Sequence, residues 1–203
     1  MKPVRTRKRK HKKRLLVLAD SHGRDIGWDL NREFEKDGFE VTVIARSGAN
    51  FKTVTHDIDN FTKDFNFDDR VVVLAGTNDI VSHTQQPTEL DLQPILETAR
   101  RTKVSIATVP YRYDRPLMNV NVAKLNAWLS ERISNIDEIE LLELSNFDIS
   151  DFTRHGLHFN KSRGKIKLRK LIKEHITGTS TSEGSGETAE ARDISALSNS
   201  DFL

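Results

Sequence analysis

Residues 15–25 read LLVLADSHGRD. The first five of them are wholly apolar, as a strand covered on both faces of a parallel sheet must be, and a polar loop cuts the run off at Asp20. At that break Ser21 stands either as a nucleophile at a strand end or as the cap of the helix that follows, since Ser and Asp both cap well.

The same alternation repeats outward from this stretch. After DIGWDLNREFEKDG (25–38), with apolar residues at helical spacing, comes the β-branched run FEVTVIA (39–45), then a loop and a polar helical stretch. RVVVLA (70–75), KVSIATV (103–109) and IELLEL (139–144) read as further strands, separated by helices near 88–102 and 121–135. A basic helix, SRGKIKLRKLIKEHI (162–176), closes the series, with Ile166, Leu168, Leu171 and Ile172 expected to turn inward. Five strands alternating with helices predict an α/β fold: a three-layer α/β/α sandwich around a doubly wound, flavodoxin-like parallel five-stranded sheet. Ligands of such sheets bind beyond the carboxyl ends of the strands, near the switch in strand order.

Length and composition set the frame. With 203 residues, 36% of them hydrophobic, the chain can bury one ordinary core, so a single domain over 14–176 is expected between two tails. Its net charge of +2 hides an uneven distribution. Residues 1–13 form a basic arm without Asp or Glu, read as a solvated, disordered segment that is solubilising, the remnant of a longer linker, or a nuclear-localisation or nucleic-acid patch for RNA or DNA. Residues 177–203, rich in Ser, Thr, Gly and Glu, read as a disordered tail. There is no cysteine, which excludes disulfides, zinc-thiolate sites and a cysteine nucleophile. No apolar run reaches the roughly 18 to 20 residues that span a bilayer, and the first one is too short for a signal peptide, so a cytoplasmic or nuclear protein is expected.

Three strand ends carry small polar residues beside a Gly: ADSHGRD (19–25), ARSGAN (45–50) and LAGTNDI (74–80). A fourth element, DFTRHGLHFNKSRGK (151–165), brings two histidines three residues apart in front of the last helix. In order and spacing, the set DSHGR, SGAN, GTND and HGLHFN resembles the four blocks of the SGNH or GDSL hydrolase superfamily of esterases and lipases. The resemblance covers nearly the whole domain and decides Ser21 in favour of the nucleophile. It implies His158 as general base and an oxyanion hole made of the Ser21 N–H, the Gly48 N–H and the Asn78 side-chain amide. It also implies an ester or related acyl substrate, small-molecule, lipid or carbohydrate, with no cofactor. LADSHGR, VPYRYD and RHGLHFN further resemble a subgroup of predicted animal SGNH domains, some of them associated with retrotransposon open reading frames, which would make the arm a tether to RNA or DNA.

One departure from the family pattern concerns the acid that orients the base. Three residues before His158 the pattern has Asp, whereas this chain has His155, which implies a Ser–His dyad. His155 and the nearby Asp151 are the candidates for orienting the imidazole. Replacing that acid in a serine protease lowers turnover about ten-thousandfold. With no cysteine and no carboxylate at ligand spacing, no metal is expected at His155 and His158. His22, next to the nucleophile, is expected to point away from it and receives no role. Asp79 is expected to shape its own loop. Tyr111, Arg112 and Tyr113, beyond the fourth strand, are candidate pocket residues, with Arg112 attracting an anionic group, and packing of that loop against the domain is the other reading. The expected function is a serine esterase or acyl hydrolase, and the alternative is an inactive SGNH-like module that binds nucleic acid or protein.

Overall fold

The computed structural model describes residues 12–81 and 87–178. Most of the basic arm, His83 and the tail from 179 onward lie outside the described residues. Five strands, β1 (Lys13–Ala19), β2 (Phe39–Ala45), β3 (Arg70–Leu74), β4 (Lys103–Ala107) and β5 (Ile139–Leu142), form one sheet in the order β2-β1-β3-β4-β5. Every pairing is parallel, and the register sets Leu15 opposite both Val41 and Arg70.

The apolar run of β1 has a direct packing cause. Leu16 and Leu18 enter one core with Val71, Val73, Val104 and Ile106, while Leu15, Val17 and Ala19 enter a second with Val72 and Leu74. Successive side chains of a strand point to opposite faces, so a central strand covered twice has no polar position to offer. Helices α2 (Phe51–Thr55), α3 (Ile58–Thr62), α4 (Glu89–Ala99) and α5 (Asn119–Ile133) supply the first core, and α1 (Gly27–Phe34) and α6 (Gly164–Thr177) supply the second. The three layers expected from the alternation are present.

Several details differ from the sequence reading. Lys13, assigned to the arm, pairs with Phe39 in β1, and Thr177, assigned to the tail, completes α6. The polar stretch after β2 is two short helices, because each gains its own buried apolar residues, Phe51 and Val54 in one and Ile58 in the other. Ile166 is exposed: the buried line of α6 runs through Leu168 and Ile172, four residues apart, and a residue two before Leu168 falls on the other side. Lys165 takes the inward place instead and donates from its ammonium to the Arg24 carbonyl.

Candidate active site

The strand order makes the ends of β2, β1 and β3 neighbours, and hydrogen bonds stitch their loops together. Asp20 N donates to Leu74 O at 2.8 Å and Arg46 N to Ala19 O at 2.8 Å. Asn78 Nδ2 donates to Ala49 O at 2.8 Å, and Asp79 Oδ2 accepts from Phe51 N at 2.9 Å. Ser21 opens a short 3₁₀ turn, Ser21–Gly23, capped by the Asp20 side chain, which accepts from His22 N at 2.9 Å. Ser21 thus remains at the rim while Asp20 and His22 are buried beneath it.

The histidine loop arrives from the far end of the chain. Ser21 Oγ lies 3.3 Å from His158 Nδ1, 137 positions away. The nitrogen facing the serine is Nδ1, and such contacts in catalytic sites commonly tighten only with substrate. A bridge between Phe152 and Phe159 and a bond from Thr153 N to His158 O at 2.7 Å shape the loop as a tight return. Gly156, at φ +70°, sits at its tip, where an added Cβ would meet the backbone N of Asp114 at 2.7 Å. The Gly156 carbonyl accepts from Tyr113 N at 2.9 Å, so only glycine lets the 113–114 backbone hold this loop.

That contact bears on the two readings of 111–113. Tyr113 packs on Phe152 at 5.1 Å between ring centroids and donates from its hydroxyl to Phe147 O at 3.3 Å. Arg112 is buried, and its guanidinium forms a fork with Asp114 at 2.9 and 2.5 Å. A guanidinium already paired with a carboxylate is not available to attract an anionic substrate. Tyr113 braces the histidine loop and Arg112 pairs within its own loop, in keeping with the packing reading, and Tyr111 alone of the three is exposed.

Neither candidate for orienting the imidazole reaches it. Asp151 is buried, and its Oδ2 accepts from Lys167 Nζ at 2.8 Å and from Asp148 N at 3.1 Å, completing a capping box before α6. Its carboxylate is spent on that structure. His155 is exposed and has no hydrogen-bond or ion-pair partner among the described residues. The family register therefore fails here for a physical reason: position 155 lies on the solvent side of the return that brings His158 to Ser21.

Gly48 and Asn78 line one open cleft of about 380 Å³, together with Arg46, Ser47, Ala49, Asn50 and Thr53. Gly48 is exposed at φ +75°. Among the described residues, no carbonyl accepts from the N–H of Ser21 or of Gly48, and one N–H of the Asn78 amide is uncommitted. Among these residues, no group of three His, Cys, Asp or Glu side chains is placed to hold a metal ion.

Two residues the sequence reading left aside have defined places. His22 is buried, its Nδ1 2.9 Å from Asp20 Oδ1 and its Nε2 3.1 Å from Leu157 O. Its ring is directed toward the histidine loop, which nothing in the local sequence places there. Asp79 reaches beyond its own loop to the first turn of α2, and burial pushes its carboxyl up to about 6. A folded-state pKa raised above the unfolded 3.8 gives stability that is complete below pH 3.8 and lost as pH rises through about 6. Asp79→Asn keeps the acceptor for Phe51 N and removes the ionisation. Urea unfolding is expected to find the variant more stable than the parent by up to about 3 kcal/mol at pH 7.5, with the difference gone near pH 4.

Solved structures share this architecture. A lipase/acylhydrolase from Enterococcus faecalis matches with a TM-score of 0.64 at 17% identity, over 82% of this chain and 96% of that one. A member of the lipolytic G-D-S-L family from Veillonella parvula gives a TM-score of 0.63 at 15% identity, over 81% and 98%. A Clostridium thermocellum family 3 carbohydrate esterase gives 0.61 at 14% identity, over 83% and 98%. No family model matches the sequence. No curated protein matches it either. The chain has the fold of the SGNH/GDSL hydrolases, as the four sequence blocks implied.

Proposed function

We propose that the chain is a serine acyl hydrolase that cleaves an ester or related acyl bond of a small-molecule, lipid or carbohydrate substrate through an acyl-serine intermediate. The observation that carries this reading is the 3.3 Å approach of His158 Nδ1 to Ser21 Oγ at the carboxyl edge of the sheet. A neutral imidazole with its proton on Nε2 presents the Nδ1 lone pair to the serine hydroxyl. As Oγ attacks the acyl carbon, Nδ1 takes its proton, and the negative charge passes to the former carbonyl oxygen. The N–H groups of Ser21 and Gly48 and the free amide N–H of Asn78 are the donors we assign to that oxyanion. His158 returns the proton to the departing alkoxide, leaving acyl-Ser21. It then removes a proton from water as the water oxygen attacks the acyl carbon, and the second tetrahedral intermediate collapses to the acid as His158 gives that proton back to the departing Ser21 Oγ.

The His158 pKa is lowered first by partial burial, then by the charges of His22, Arg24 and Lys165, with Asp20 acting in the opposite sense. A base must be deprotonated to act, so activity is lost as pH falls through its pKa. The acid limb of kcat/KM is expected to have its midpoint below the ordinary imidazole value of about 6.5. A fluorophosphonate probe tests the chemistry directly: Ser21 Oγ should displace fluoride and carry the phosphonyl label, found by peptide mass spectrometry and absent from Ser21→Ala. Folded protein that takes no label and turns over neither short- nor longer-chain esters would transfer the reading to an SGNH-like binding module.

A further inference from the structure

We propose that the buried Asp20–His22 pair is the positioning device for the base of this site, holding His158 against Ser21 through the Leu157 carbonyl in place of an acid on the histidine's own loop. The inference rests on the acyl-hydrolase reading for its catalytic consequence, and on geometry for the clamp itself.

The contacts form a closed circuit. Asp20 is fixed to the sheet by its N–H on Leu74 O at 2.8 Å. Its Oδ1 meets His22 Nδ1 at 2.9 Å, and His22 Nε2 meets the carbonyl of Leu157, the residue before His158, at 3.1 Å. His158 closes the circuit on Ser21, which lies between Asp20 and His22 in the chain. The loop cannot move off the nucleophile without breaking the His22–Leu157 contact. The His22 ring also packs edge-on against the residues that follow, 6.2 Å from the His158 ring and 4.8 Å from Phe159 between centroids.

Burial makes the pair costly as mere packing. Asp20 is 1% exposed and His22 4%. Asp20 Oδ2 is also a buried oxygen with no partner among the described residues. A polar pair left partly unsatisfied is less stable than an apolar pair of the same volume, so packing alone does not account for it. Both ring nitrogens of His22 meet oxygens, whereas a residue that served only to fill space would need neither.

Two variants separate clamp from filler. Gln places an amide N–H close to where His22 Nε2 stands, so His22→Gln keeps the bond to Leu157 O, whereas His22→Ala removes it. For His22→Ala, kcat on a p-nitrophenyl ester is expected to fall about 100-fold with KM little changed, the scale of a misplacement of about 1 Å. His22→Gln should retain kcat within a few-fold. Equal kcat losses in the two variants, or full activity in both, would overturn the clamp.

NMR of the His158 imidazole gives a readout independent of turnover. A ring with a fixed tautomer in wild type and in His22→Gln, and an averaging one in folded His22→Ala, supports the clamp even for a protein that hydrolyses nothing. An unchanged ring in all three overturns it, whatever the activity.

Discussion

Ser21→Ala is expected to remove ester turnover, and the size of the loss reports how well His158 is oriented. In a complete serine triad, deleting the serine or the histidine costs about 10⁶ in kcat, while deleting the acid alone costs about 3 × 10⁴. A site running without any orienting group would keep only the small remainder, so Ser21→Ala would then cost about 100-fold. A site in which the Asp20–His22 pair and the Tyr113–Gly156 contact hold the base should lose well over 10⁴-fold, approaching the value of about 10⁶ for a full triad. His158→Ala should match Ser21→Ala, because the serine hydroxyl is a weak nucleophile without its base. The comparison uses purified protein, short-chain p-nitrophenyl esters and identical conditions. Turnover unchanged in Ser21→Ala would remove the acyl-serine mechanism outright.

Gly164→Ala is expected to produce the largest loss of stability of any single added methyl. Helix propensity alone argues the other way, since Ala is better than Gly by about 1 kcal/mol inside a helix. The contact decides against propensity: a Cβ on Gly164 would lie 2.0 Å from the Asp151 carbonyl oxygen and 3.0 Å from Phe159 Cβ. That carbonyl accepts from Asn160 N at 2.9 Å, within the return that presents His158. Backbone has no rotamer by which to yield, so the cost should reach or exceed about 3 kcal/mol, the upper end for overpacking. Thermal unfolding should then show a midpoint lowered by about 6–12 °C. Gly27→Ala is the matched control, also at the first residue of a helix, where the new Cβ would meet Val43 at an ordinary 3.4 Å. Equal midpoints for the two variants would mean that α6 does not seat against the 148–151 turn as described.

The two predictions fall on opposite sides of what the sequence discloses. The strand end that carries Ser21 was legible because an apolar run stops abruptly at a small polar loop, and the structure sets that loop directly after β1. Gly164 was not, because nothing in SRGK reveals that a carbonyl thirteen positions earlier lies against it. Arg112 and Tyr113 were left between pocket and packing for a related reason. On a strand-end loop, aromatic and cationic side chains have the same local signature whether they face a ligand or brace a neighbouring loop. Their partners, Asp114 and Gly156, decide the matter. His22 shows the same limit, since its outward neighbour is visible in the chain and its inward partner, Leu157, is 135 positions away.

The sequence by itself determined the layers of this protein and the polar loops that end its strands. A wholly apolar strand can exist only where both faces are covered, and helix and strand periods are properties of the local chain. Tertiary structure alone decided which charges were already spent, Asp151 on Lys167 and Arg112 on Asp114, and that the buried Asp20–His22 pair meets the loop of His158 at the Leu157 carbonyl. Hydrogen bonds reach about 3 Å and carry no trace of sequence separation, so their partners exist only once the sheet has brought the strand ends together.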